Sequence, residues 1–197
     1  MFDDLYSAVD SFLGSLMPLS ELDANELRIM EPPMIPAGEI VTVAGHEFIV
    51  LDSFGDGTTA VLQKNFLRSG EFGNSANWET SDLREYLNNE YYDDIADAVG
   101  SENIAVFRRN LITMDGTARG TCDDQISLLS FDEYRAYHSI IGNGPYPDWW
   151  WLLTRFSEQY SRGVCCVHGD GAVSYGDCGD SCGVRPFFLL KSEILTS

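Results

Sequence analysis

The spacing of hydrophobic positions changes near residue 35. Before it, Phe2, Leu5, Val9, Phe12, Leu13 and Leu16 recur at helical intervals, and a second short helical pattern runs from Ser20, an N-cap candidate, through Leu27. The three prolines of "EPPMIPAG" then remove backbone donors and fix φ, which ends the pattern. The expected organisation is an N-terminal helical segment over residues 1–35 and a main domain over 36–197. The plain role of the segment is to pack on that domain; the sharper one is an arm for docking or homo-oligomerisation.

From Ile40 the period becomes two. "IVTV", "EFIVLD" and "TTAVLQ" read as short strands joined by the turns "AGH" and "FGDG", which starts an antiparallel sheet. "WETSDLREYLNNEYYDDIADAV" reads as a helix capped by Thr80 or Ser81, with Leu83, Tyr86 and Leu87 on one face and carboxylates near its positive end. "ENIAVF" and "NLITM" read as strands; "QISLLSFDEYRAYHSII" reads as a buried strand, a Ser130 cap and a second helix. The tail returns to period two in "DWWWLLT", in a hairpin "GVCCVHGDGAVSYG" turning at Gly169-Asp170-Gly171, and in a closing strand "GVRPFFLL". Strands and helices in this order define an α+β fold.

Composition narrows the function. At 197 residues and 44% hydrophobic the chain can bury a sizeable core, and its length suits one domain with a small appendage. A formal net charge of -19 repels phosphate backbones and anionic lipid, so nucleic acid and membrane surfaces are not expected partners. No stretch is long enough to span a bilayer, and the acidic start lacks the basic region of a secretory signal. The chain is therefore expected in the cytoplasm as synthesised, unless other machinery displays it on a virion or cell surface. Five cysteines, an odd number, favour free thiols over a disulfide framework in that compartment.

Five segments in order, "WETSDLREYLN", "ISLLSFDEY", "WWLLT", "VHGDGAV" and "GVRP", resemble a bacterial and phage family related to formylglycine-generating-enzyme domains, which includes the variable proteins of diversity-generating retroelements. The resemblance covers residues 38–195. It implies a C-type-lectin-like fold, a mixed, mostly antiparallel sheet with two flanking helices, closed by Gly183 to Pro186. It also implies that adenine-directed mutagenesis rewrites a segment between the Trp-Trp-Leu strand and that closure, displayed as a ligand-binding surface. Relatives carry Arg-Ser after Trp-Trp-Leu, whereas this chain reads Leu153-Thr154-Arg155. Asparagine codons altered at their adenines never yield Lys, Met, Trp, Gln or Glu, and none of these five occurs between Tyr160 and Cys182.

Three chemistries compete for that segment. Cys165, Cys166, Cys178, Cys182 and His168 are ligand types for zinc, but adjacent strand cysteines point to opposite faces and no Cys-x-x-Cys knuckle is present. A thiol enzyme needs a thiolate-favouring neighbour, for which His168 or Arg162 would serve, whereas Asp170, Asp177 and Asp180 raise thiol pKa values. Binding uses tyrosine as a rigid contact and serine, glycine, aspartate and arginine as adaptable polar groups, as in antibody loops. On that reading the surface comprises Tyr160 and Tyr175 as anchors, Cys166, His168 and Ser174 on the outward face of the hairpin, and Phe156, Ser157, Ser161, Arg162, Asp177, Cys178, Asp180, Ser181 and Cys182 in irregular segments. Val167 and Val173 face the core. At least two of Trp149, Trp150 and Trp151 fill the core, Arg185 is a structural donor, and His46 and His138 receive no role. Clustered aspartates without a Glu-Pro-Asn motif do not predict calcium-dependent sugar recognition.

The expectation is a non-enzymatic, cofactor-free binding protein for an unknown protein or surface ligand. The alternatives are a fixed-partner structural or accessory phage or cell-surface protein, and a thiol- or metal-dependent enzyme.

Overall fold

The computed structural model describes residues 32–142 and 149–196. The chain divides into two compact units, Met1–Pro32 and Pro33–Ser197. The N-terminal helical segment, and with it the oligomerisation arm, lies outside the described residues.

In the second unit, β1 (Ile40–Val43), β2 (His46–Ser53) and β3 (Thr58–Gln63) form the expected meander. Ala44 and Gly45 join the first two strands at φ of 50° and 77°, the primed turn geometry that matches strand twist. In the second turn the Asp56 carboxylate accepts the Thr58 N–H at 3.0 Å. β4 (Arg68–Gly70) follows.

The first helix is capped by Ser81, whose Oγ accepts the Arg84 N–H at 3.1 Å. It comes in two pieces, α1 (Asp82–Asn88) and α2 (Glu90–Val99), because Asn89 leaves the helical region with φ and ψ of -122° and -86°. The apolar stripe runs through the break as Leu83, Leu87, Tyr91 and Ile95, all buried, so tertiary packing keeps both pieces on one face. β5 (Ile104–Ala105), β6 (Phe107–Ile112), β7 (Ala118–Asp124) and β8 (Ile126–Ser127) lead to α3 (Phe131–Ile141). Ser130 and Glu133 form a reciprocal capping box at its start. β9 (Trp150–Arg155), β10 (Gly163–Val167), β11 (Val173–Asp177), β12 (Cys182–Val184) and β13 (Phe187–Lys191) complete the order.

One sheet runs β1-β2-β3-β13-β5, with β8 also on β13; the second runs β11-β10-β9-β12-β4; β6 and β7 form a two-stranded ribbon. Every pairing is antiparallel except β9 with β12. The chain is thus α+β with mostly antiparallel sheets.

The closing strand expected from "GVRPFFLL" is two strands in different sheets. Pro186 has no N–H to donate, which interrupts a ladder, and its carbonyl instead accepts the Gln63 N–H at 2.8 Å. Arg185 is fully buried, donates from Nε to the Gln63 carbonyl at 2.9 Å, and lies 4.9 Å over the Trp150 ring. The Arg185-Pro186 step thereby ties the crossing between the sheets to the end of β3. This agrees with a structural role for the arginine.

Two apolar clusters make the core. Trp151, Leu153, Val164 and Cys166 belong to the first; Trp150, Leu152, Cys165 and Val167 belong to the second. Neighbouring residues of β9 and β10 therefore alternate between two buried environments, and both faces of these strands are covered. Trp150 and Trp151 fill the core as expected, while Trp149 stays 37% exposed.

Candidate surface on the β9–β11 sheet

β9, β10 and β11 are consecutive antiparallel neighbours, with β11 at the sheet edge. The loop after β9 and the loop after β11 therefore lie side by side. The Phe156 N–H donates to the Gly163 carbonyl at 2.8 Å and the Gly163 N–H to the Tyr160 carbonyl at 2.9 Å, so residues 156–163 form a closed turn and not a free excursion. Gly163 suits a close approach: a Cβ there would lie a tight 3.2 Å from the Cβ atoms of both Phe156 and Tyr160.

This turn brings three aromatic rings together. Phe156 stacks on Tyr175 at 4.1 Å between centroids and 23° between planes, and Tyr160 lies 5.7 Å from Phe156 and 5.4 Å from Tyr175. Tyr160 is 51% and Tyr175 44% exposed. Both anchor candidates thus stand on one patch, with Phe156 supporting them from the side of the second core cluster. Tyr160, Arg162, Tyr175 and Asp177 line a concavity of about 300 Å³ there.

Polar groups around the patch are tightly bonded. Arg162 donates from Nε to both Asp177 oxygens at 2.8 and 3.1 Å, from Nη2 to Oδ1 at 2.5 Å, and from Nη1 to the Asn74 carbonyl at 3.3 Å. These bonds, followed by the Gly179 N–H, hold the Asp177 carboxyl down at about 2. The Asp177 N–H in turn donates to Asp180 at 2.9 Å, and the Cys178 N–H to the Arg162 carbonyl at 2.8 Å. Ser161 and Ser181 are exposed, and Ser157, Ser174 and His168 are half-buried. His168 lies at the other end of the hairpin, 4.8 Å from the Trp149 ring and 3.0 Å from Asp170, apart from the tyrosine patch.

Three predicted surface residues are not at the surface. Cys166, Cys178 and Cys182 are 2%, 0% and 7% exposed and belong to the first core cluster. For Cys166 the reason is the covering of both faces of β10, which defeats the rule that alternate residues reach solvent. Cys178 and Cys182 turn inward at either end of the loop between β11 and β12. All five cysteines are free. Burial pushes the Cys165 thiol up to about 12, and the Cys166 thiol is raised first by its hydrogen bond with Cys182 and then by burial. No group of three metal-ligating side chains occurs among the described residues.

The ribbon of β6 and β7 braces the patch; the strand expected at "NLITM" falls on β6, whereas β7 and this bracing were not expected. Met114 donates its N–H to the Arg155 carbonyl at 2.9 Å, the Asp115 carboxylate accepts the Glu158 N–H at 3.4 Å, and Arg119 pairs with Glu158 at 3.1 Å. Arg155 donates to the carbonyls of Ser157 and Glu158 at 3.1 and 3.4 Å. It holds the turn. Beside the ribbon, Arg108, Arg109, Met114, Phe131 and Arg135 line a groove of about 430 Å³ at the start of α3. These contacts join positions about 40 residues apart, which no local pattern reveals.

These elements define an α+β protein with a compact aromatic patch at the edge of a braced sheet. A family model described as a domain of unknown function (DUF6273) matches residues 56–145, from the turn before β3 to just past α3, and stops before β9. No curated protein and no solved structure matches the chain.

Proposed function

We propose that this chain is a non-enzymatic ligand-binding protein. On this reading Phe156, Ser157, Tyr160, Ser161, Arg162, Ser174, Tyr175, Asp177, Asp180 and Ser181 form its recognition surface, with His168 at the margin. The scaffold is a C-type-lectin-like one of the retroelement-diversified kind. The observation that carries the reading is the pairing of half-exposed Tyr160, on a turn whose backbone is closed by its own hydrogen bonds, with half-exposed Tyr175 on the neighbouring edge strand. Tyrosines in that setting offer large contact area at little ordering cost. Because the frame does not depend on their side chains for its bonding, those side chains are free to change. The raised thiol pKa values support binding over thiol chemistry, since a protonated buried thiol is a poor nucleophile.

The test is to sequence this gene across many cells of one population. Substitutions confined to codons 156–181, at adenine-derived positions, and sparing the buried Cys166 and Cys178 are expected. A segment without excess substitution would overturn diversification and leave the fixed-partner protein as the reading.

A further inference from the structure

Aromatic rings in this fold are repeatedly covered by its own arginines. Arg68 lies 4.3 Å over Tyr86, Arg135 4.9 Å over Phe131, Arg185 4.9 Å over Trp150, and Arg109 5.1 and 5.3 Å over Phe107 and Phe187. Tyr160 and Tyr175 carry no such cation among the described residues, although their rings reach solvent. Neither phenol hydroxyl has a hydrogen-bond partner among those residues. The neighbouring cations are held elsewhere: Arg162 on Asp177, Arg119 on Glu158, and Arg155 on two carbonyls. At the patch these three cations stand against Asp115, Glu158, Asp177 and Asp180, so the local charge is slightly negative. Beyond it the chain as a whole carries -19.

These facts separate arrival from retention. A field of one sign attracts oppositely charged partners and repels others over distances of about a Debye length, roughly 8 Å at physiological ionic strength. Contact then depends on what the patch itself offers, namely the electron-rich faces of two tyrosines. Such faces hold a guanidinium or ammonium; Phe156 covers one face of Tyr175 and meets Tyr160 edge-on.

We propose that the patch receives an arginine or lysine side chain from a basic protein segment, the acidic frame drawing the segment in and the Tyr160 and Tyr175 rings holding its cation. The inference rests on the binding reading above and adds the chemistry of the partner. The two rings carry that preference, so it persists when residues such as Ser161 or Ser181 change and is lost when Tyr160 or Tyr175 is replaced by a non-aromatic residue.

The experiment selects a random peptide library against the full chain at low salt and measures the selected peptides against Tyr160→Ala, Tyr175→Ala and the corresponding Phe variants. Peptides dependent on the two tyrosines should be enriched in Arg and Lys. Each Ala change should weaken them about 2- to 30-fold, the range of a cation–π contact, while the Phe changes stay within about 2-fold because ring faces are kept. Association rates should fall about tenfold or more as salt rises to molar strength. Tyrosine-dependent peptides without that enrichment, or with salt-independent association, would overturn the cationic preference and leave the binding surface standing. A library yielding no tyrosine-dependent peptide overturns both.

Discussion

Cys166 and Ser174 face each other across β10 and β11, and replacing each with arginine separates frame from surface in one matched pair. Cys166 is 2% exposed within an apolar cluster that includes Trp151, Val164 and Val184, whereas Ser174 is half-buried on the edge strand. A guanidinium at position 166 would lose its hydration among these apolar side chains, which costs about 3 kcal/mol or more. Overpacking adds to this, since arginine is much larger than the buried cysteine it replaces. At position 174 the long side chain extends into water, and surface changes of that kind stay within about 0.5 kcal/mol. For a domain of this size each kcal/mol moves the melting temperature by roughly 2–4 °C, so Cys166→Arg should lower it by about 6 °C or more and Ser174→Arg by no more than about 2 °C. Thermal unfolding followed by circular dichroism, with reductant present, reads both. If the two variants melt together, β10 is not the covered strand described above, and the division between fixed frame and free surface fails.

Two further outcomes follow from the titrating groups. The Asp177 carboxyl lies below the roughly 3.9 of an unperturbed aspartate, so its pairing with Arg162 contributes fully above about pH 4 and is lost as pH falls toward 2; NMR titration should show the midpoint rising toward 3.9 in Arg162→Gln, and an unmoved midpoint refutes the pairing. Burial, followed by the Asp124 charge, pushes the Cys122 thiol up to about 11 and burial alone takes Cys165 to about 12, so a disulfide reagent at neutral pH should react slowly with the native protein and with all five thiols after unfolding. A thiol in the native fold reacting as fast as free cysteine would reopen the enzyme reading.

Much of the architecture was legible because its signals are local. The Ala44-Gly45 turn, the Ser81 and Ser130 caps, the β1–β3 meander and the β10–β11 hairpin each depend on residues within a few positions of one another. The break at Asn89 was not legible, since the apolar stripe passes through it unchanged. Nor was β7, whose "ARGTCDD" shows no alternation: among the described residues it pairs only with β6 and remains mostly exposed, so no core imposes a period on it. At the candidate surface, residue types alone marked Tyr160, Tyr175, Arg162 and Asp177, and the structure sets them side by side.

By itself the sequence determined which segments extend, which coil, where they turn, and that the tail is rich in side chains suited to contact. Tertiary structure decided which of those side chains reach solvent. Alternation states only that neighbouring strand residues point opposite ways; whether the second direction leads to water depends on what covers that face. Here an apolar cluster lies against each face of β10, so Cys166 is interior, while β11, one strand further out, leaves Tyr175 exposed beside Tyr160. The same dependence on long-range pairing split the final apolar run at Arg185-Pro186 between two sheets and placed the ribbon of β6 and β7 against the turn that presents Tyr160.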